Sequence, residues 1–412
     1  MATTVFSKKI VVSIDVGTTK ICVLVAQVLD EESFEIIGIG KSPSDGLKKG
    51  VVVDIAKTVY SVKNAVKEAE IMAGMHIESA SIGISGGHIS SLNSHGVVPI
   101  KHGEVTALDI TNVLAAARAI PIPEGQQILH VLPQYFIIDG HDKVQDPLGM
   151  HGIRLEVQAH IILGSIASVQ NLIKCCEAAG VAVTDIILEQ LASGDAVLSS
   201  DERQLGVAVL DIGGGTSDLA LYQQGSIRHT MVLPLAGNHF TNDVAIGLRT
   251  TLKDAERIKK MYGLVSPGAH INDDLIEVEA VQGAEKHIVK ISNVNAVLQA
   301  RAQEIFILVQ QEIVLRNLQQ FMRTGFVLTG GGSLLGGMKE LAEEIFKVPV
   351  RIGHPRVSYR LPELLDSPIY ATGYGLLIHT LKREQQGGMN SLSGPLVKRI
   401  FVRMKSWVSD FF

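Results

Sequence analysis

At 412 residues the chain is long enough for about two to four domains with ample core. Its net charge of −5 argues against a general nucleic-acid binder, whose affinity would rest on a basic surface. A content of 46% hydrophobic and 19% charged residues with 40 glycines suits a soluble α/β protein, and the three cysteines form neither a disulfide framework nor a metal-ligand spacing.

The first element is a run of β-branched residues, Ile10 to Val16, that ends in Asp15-Val16-Gly17 and continues through Thr18, Thr19 and Lys20 into a second apolar run, Ile21 to Val25. Strand, tight glycine turn, strand is the expected reading. Glycine without Cβ lets backbone N–H groups close round a phosphate oxygen, and Asp15 at the strand end suits the hydrated Mg²⁺ that accompanies a nucleotide. A third strand (34–40) follows, then an amphipathic helix over 55–73 with Ile55, Val59, Val62, Val66 and Ala69 inward, then a strand over 81–85. Asp15 interrupts the early apolar stretch after Lys8-Lys9, so no signal peptide is expected, and no apolar run reaches the ~18 residues of a membrane span.

Residues 86–164 have a different character. A hairpin-like stretch (89–100), a helix (107–119, closed by Pro121 and Pro123) and strands at 128–138 and 157–163 are expected, with the turn-rich Asp146 to Gly152 between the last two. This reads as a small α+β insert and a contact surface. Cys175-Cys176 falls on a helix and reads as core, which fits a reducing compartment.

The first motif then recurs. Val207 to Leu210 runs into Asp211-Ile212-Gly213-Gly214-Gly215-Thr216-Ser217-Asp218, followed by Leu219 to Leu221 and a third strand over 227–233. One such turn means little; two in corresponding places suggest like domains clamping one nucleotide, with Asp15 and Asp211 both near the metal. A helical stretch over 238–261 carries Glu256 and Lys259 on one face, where the carboxylate suits ribose hydroxyls and the lysine stem suits adenine. A third glycine cluster, Phe326 to Thr329 followed by Gly330-Gly331-Gly332-Ser333, would let a flat ring lie on bare backbone. Two helical connectors, opening at Glu189 and at Ala371, carry the small residues a hinge needs, and Glu189 or Gln190 is placed to orient a hydrolytic water. A purely structural connector reads equally well.

Residues 396–412 form the other informative feature. At about 100° per residue, Leu396, Val397, Ile400, Phe401, Met404, Trp407, Val408, Phe411 and Phe412 share an arc of about 160°. Lys398, Arg399, Arg403 and Lys405 lie opposite, and a polar tether over 385–395 precedes them. A basic, tethered helix of this kind is expected to lie in the plane of a membrane surface, with docking into a partner's groove as the alternative.

Three strands, a helix and a strand, given twice, make the ribonuclease-H-like halves of an actin-like two-lobed ATPase. On Asp15 to Lys20, His130 to Gln134, Asp146 to Gly149, Leu210 to Asp218, Leu328 to Ser333 and the terminal helix, the chain resembles the FtsA family of bacterial cell-division proteins. The resemblance implies subdomain 1A at 1–85 and 165–205, 1C at 86–164, 2A at 206–240 and 322–382 and 2B at 241–321, then a linker (383–395) and a membrane-targeting helix (396–412). It implies Mg²⁺ and ATP in the cleft with slow or negligible hydrolysis, filaments of the chain itself, and anionic lipids at the inner membrane. It also implies the FtsZ tail on 2B near Arg249 and Arg301, with other divisome proteins as further partners. Gln190 departs from the proline frequent there in related ATPases. The rival readings on the same scaffold are a small-molecule kinase or polyphosphatase and a pilus-assembly ATP-binding scaffold.

Overall fold

The computed structural model of the chain describes residues 9–29, 33–141, 143–265, 274–281, 286–356 and 363–386. The expected helix over 396–412 lies outside the described residues. Among those that are described, no helix is long and apolar enough to cross a membrane.

The first sheet grows from the hairpin β1 (Ile10–Val16) and β2 (Lys20–Val28), extended by β3 (Phe34–Pro43). A short ribbon of β4 (Leu47–Lys48) and β5 (Val51–Val52) leads to α1 (Ile55–Ala73). Asp54 caps α1 by accepting from the Lys57 N–H, and Gly74 ends it at φ 67°. The buried face of α1 is Thr58, Ser61, Val62, Ala65, Val66 and Ala69. Val62, Val66 and Ala69 face inward as expected, whereas Ile55 is exposed and Val59 only partly covered, and the small residues Ser61 and Ala65 complete the buried face in their place. β6 (Ser79–Ile84) then pairs parallel to β1.

The insert forms a separate sheet of its own. β7 (Ser90–Pro99), α2 (Ala107–Arg118), β8 (Gln126–Ile138), β9 (Lys143–Val144) and β10 (Arg154–Ser165) give the order β7-β10-β8-β9. The expected hairpin over 89–100 is a single strand, paired without interruption from Ser90 with Leu163 to Pro99 with Arg154. Asn93, a natural turn residue, instead spends its side-chain oxygen on His160 Nδ1 at 2.7 Å. After α3 (Ile166–Ala178), where Cys175 and Cys176 are buried, β11 (Ala182–Leu188) returns to the first sheet, whose order is β11-β6-β1-β2-β3.

The helices α4 (Glu189–Val197) and α5 (Ser200–Leu205) lead to the second sheet. There β12 (Val207–Ile212), β13 (Ser217–Gln223) and β14 (Ser226–Leu233) form an antiparallel meander. The expected helix over 238–261 is two: α6 (Gly237–Leu248) and α7 (Leu252–Tyr262). Arg249 breaks them by turning left-handed (φ 53°), and Thr251 restarts the second by accepting from the Asp254 N–H. A ribbon of β15 (Leu275–Glu279) and β16 (Lys286–Lys290) and the long α8 (Ile291–Leu315) pack beside them. The strand β17 (Phe326–Thr329), α9 (Met338–Phe346), β18 (Val350–Ile352) and α10 (Ala371–Gln386) complete the fold.

The second sheet has the order β14-β13-β12-β17-β18, the first sheet's arrangement strand for strand. In both, two antiparallel strands flank the central one on one side and parallel strands follow on the other. Asp15 and Asp211 are each the penultimate residue of the central strand.

Away from the glycine turns, the described residues of the two halves meet behind the cleft and at the insert. Behind the cleft α4 and α10 cross closely, since a Cβ on Gly375 would stand 1.8 Å from the Ala192 carbonyl oxygen. Burial works against ionisation of Asp195 on α4. Arg203, His379 and Lys382 outweigh it and hold the carboxyl well below the usual carboxylate range. The second junction runs from the insert to β14, the edge strand of the second sheet. Gln134 Nε2 donates to the carbonyls of Ile227 and Arg228 at 2.9 and 3.0 Å, and Ser91 Oγ to that of Thr230 at 3.0 Å. An otherwise bare strand edge is thereby capped by side chains of the insert.

Candidate functional site: the cleft between the halves

The two glycine turns meet face to face. Each is closed by one bond, Gly17 N–H to the Lys20 carbonyl at 3.1 Å and Gly213 N–H to the Thr216 carbonyl at 2.9 Å. A Cβ on Gly214 would lie 2.3 Å from Thr19 Cγ2, and one on Gly215 2.4 Å from Thr18 Oγ1. Those glycines are therefore needed where one turn docks on the other as well as where backbone must be bare.

Between and behind the turns lies a cavity of about 630 Å³. Its wall contains Asp15, Gly17, Thr18, Thr19, Lys20, Glu189, Asp211, Gly213, Gly214, Gly215, Thr216, Glu256, Lys259, Gly330, Gly331 and Gly332. Ser333 is not in the wall: its hydroxyl donates to the Gly330 carbonyl at 2.7 Å and braces the turn from behind. Residues that sequence reasoning passed over also line the space, notably Asp218, Gly237, Asn238, Lys260 and Thr372. Asp218 had a signal, since it stands opposite Asp211 in the antiparallel register. Gly237 and Asn238 begin α6, whose backbone N–H groups contact the second turn's carbonyls, and had no local signature. A helix N-terminus there adds partial positive charge for an anion.

Four carboxyl groups converge on the floor. Burial, and then the charges of Asp15, Asp218 and Asp211, raise Glu189 well above the usual range. Burial raises Asp211 to about 6 against a hydrogen bond from Thr372, whose hydroxyl donates to Oδ2 at 2.8 Å. Burial likewise raises Asp218 and Asp15, with Lys20 drawing Asp15 back. Lys20 Nζ donates to the Ile369 carbonyl at 2.8 Å and lies 4.3 Å from the centre of the Tyr370 ring.

An all-oxygen set of this kind suits a hard divalent cation, which would favour the ionised forms that burial disfavours. Among the described residues no three such groups stand close enough to ligate one ion directly. A cation there would be held through its own waters, as the sequence suggests for Asp15 and Asp211.

Opposite the acids, Glu256 is engaged by Lys259 at 2.6 Å, Lys260 at 3.0 Å and the Thr241 hydroxyl. Lys259 also donates to the Gly237 carbonyl at 3.2 Å. Glu256 and Lys259 thus reach the cavity as a neutralised pair, not as two free groups. Gly331 stands clear: a Cβ there would meet only Ile369 Cγ1, at 3.7 Å.

Arg249 and Arg301 lie apart from the cleft. Arg301 is saturated by Asp243 (2.5 and 3.0 Å) and by Glu304. Arg249 borders a separate hollow of about 450 Å³ with Ala245, Ile246, Leu252 and Val281, and its guanidinium has no ion-pair partner among the described residues.

Two like sheets around a cleft with paired turns define an actin-like protein. Solved structures share that fold: a PilM–PilN type IV pilus biogenesis complex (TM-score 0.64, 17% identity, 90% of this chain and 98% of that one) and MreB5 of Spiroplasma citri bound to ADP (TM-score 0.58, 16% identity, 92% and 99%). A family profile described as Cell division protein FtsA matches residues 208–375, and one for the SHS2 domain inserted in FtsA matches 86–163. Proteins named "Cell division protein FtsA" are similar over nearly the whole length: 43% identical in Pseudomonas aeruginosa (98% of this chain, 99% of that one), 41% in Neisseria meningitidis (97% and 98%) and 36% in Escherichia coli K12 (97% and 96%). The chain belongs to the FtsA family of cell-division proteins.

Proposed function

We propose that the chain is an ATP-binding, actin-like cell-division scaffold. It polymerises on the cytoplasmic face of the inner membrane at the division septum, tethers FtsZ filaments there and helps recruit later divisome proteins. The observation that supports this best is the cleft: both aspartate–glycine turns and a bare third glycine turn border one cavity of nucleotide size. With the N–H groups of Gly17 and Gly213 closing the turns, those of Thr18, Thr19, Gly214, Gly215 and Thr216 would bind the phosphates, the start of α6 would add its partial positive charge, and Gly330 to Gly332 would receive adenosine. Asp15 and Asp211 would orient the waters of Mg²⁺, which neutralises phosphate charge when bound. Glu189 would hold a water near the terminal phosphate.

In this reading 1–85 with 165–205 is subdomain 1A, 86–164 is 1C, 206–240 with 322–382 is 2A, and 241–321 is 2B. The Arg249 hollow, apolar with one cation that pairs with no acid among the described residues, suits the FtsZ tail better than the neutralised Arg301 does. The helix at 396–412 supplies the anchor. Each large side chain is worth about 1.5–3 kcal/mol if fully buried, and each basic residue roughly 1 kcal/mol at an anionic surface. Partial insertion makes one tail reversible and a filament of many tails secure.

Two measurements test this. Titration with a fluorescent ATP analogue should show binding that weakens when EDTA removes Mg²⁺; a chain that binds no nucleotide is not this protein. Removing 396–412 should abolish flotation with anionic liposomes and leave ATP binding intact, whereas a truncated chain that still floats would assign the anchor elsewhere.

A further inference from the structure

Gln190 is the second residue of α4 and is fully buried, yet it does not reach the cavity. Its amide Nε2 donates to Asp218 Oδ1 at 2.8 Å. Ser85, just beyond β6, donates its hydroxyl to the same oxygen at 2.5 Å. Asp218 itself sits on β13 of the second sheet, while Ser85 follows a strand of the first and Gln190 begins the connector. Both donors therefore reach across the junction to one carboxylate oxygen in the cleft wall, and any relative rotation of the halves must stretch these bonds.

The other end of the amide makes the point sharper. Gln190 Oε1 is buried with no hydrogen-bond partner. An orphaned buried acceptor is a cost that a leucine of similar size would avoid, so simple filling of the space does not account for the amide. What the amide supplies, and leucine cannot, is the donation to Asp218.

We propose that Gln190 is a positioning residue that, with Ser85, fixes the Asp218 carboxylate at the phosphate end of the cleft and so sets the preference for a nucleoside triphosphate over a diphosphate. This deepens the nucleotide reading above and rests on it. The Asp218 carboxylate faces the space where the terminal phosphate and its hydrated cation would lie. A diphosphate ends short of it and is indifferent to its position.

The test compares Gln190→Leu and Ser85→Ala with the wild-type full-length chain, measuring the melting temperature and the affinities for Mg²⁺–ATP and Mg²⁺–ADP. Gln190→Leu removes the donation and the orphaned acceptor together, so the fold should melt at or above the wild-type temperature. Affinity for ADP should stay within about twofold, while that for ATP falls roughly 10-fold or more, the scale of a hydrogen bond to a charged group. Ser85→Ala should shift the ATP-to-ADP ratio in the same direction. An unchanged ratio in both variants overturns the role, as does a parallel loss of both affinities together with a lower melting temperature, which marks mere packing. A wild-type chain that binds neither nucleotide overturns the nucleotide reading and this role together.

Discussion

The helix α4 carries a buried carboxylate near each end, and the two have opposite fates. Glu189 at its start is raised well above the usual range by burial and by three neighbouring carboxylates. Asp195, near its other end, is just as enclosed and is held well below that range, because Arg203, His379 and Lys382 outweigh the burial. Both are carboxylates that burial pushes the same way, so the partners decide. The hinge carries its own counter-charges and is complete without a ligand. The floor of the cleft gathers four acids with one nearby lysine, and that lysine is turned toward the Ile369 carbonyl and the Tyr370 ring. Acids crowded together without counter-charges are the pattern of a functional site more than of a device for stability.

Breaking one member of each set should separate the two roles. Asp195→Asn leaves Arg203, half-buried in the hinge, without its main partner. Removing one partner of a buried pair costs roughly 3–5 kcal/mol, and Arg203's partial exposure puts this case at about the lower end. Thermal unfolding should show the loss, with nucleotide affinity changed only as far as the fold is. A melting temperature equal to the wild type's would mean the hinge charges do not hold the halves together.

Asp211→Asn should do the reverse. It relieves a crowded set of acids, so stability should hold or rise, while Mg²⁺–ATP affinity falls roughly 10–100-fold, as losses around metal sites do. Retained affinity in Mg²⁺ would remove Asp211 from the metal's surroundings. Gly331→Val sharpens the same contrast without touching charge. A Cβ there meets nothing closer than Ile369 at 3.7 Å, so the fold should survive while the base is shut out. A variant that still bound ATP normally would show the base lying elsewhere.

What the sequence made legible follows from how local each signal is. The paired turns were readable because a strand, an aspartate and a run of glycines lie within a dozen positions, and their recurrence predicted a second sheet built like the first. The insert's strands were readable from β-branched runs, but its topology was not: Asn93 looks like a turn residue until its partner His160, far along the chain, is in place. Arg249 breaks the helix over 238–261 by a left-handed turn that no glycine announces. Asp218 was visible as a residue and missed as a site, because its donors Ser85 and Gln190 come from the other half of the fold. Glu256 and Lys259 line the cavity three positions apart on one helix, but the bonds that hold the pair to Thr241 and Gly237 of a different helix were not legible in the sequence. The tail at 396–412 carries the second strong sequence signal, and it lies outside the described residues.

The smallest expected effect is the pH dependence of the hinge, and its sign is fixed by the pairing. Glu202 on α5 accepts a two-pronged bond from Arg351 on β18, at 2.7 and 2.8 Å, and closes a capping box with Ser199. Burial works against its ionisation, but these bonds prevail and lower it from 4.5 to about 2. With the folded value below the unfolded one, the unfolded chain binds more protons between them, so stability rises with pH across that window. The contribution is therefore complete above about pH 4.5 and is lost as the pH falls toward about 2. Asp195 adds to the same slope, since its value is depressed as well. Melting curves between pH 3 and pH 6 should fall more steeply toward acid for the wild type than for Glu202→Gln, which has no proton to gain. Parallel curves would mean that Glu202 and Arg351 are together in the fold without being coupled in energy, and the hinge would then rest on Asp195 and its three cations alone.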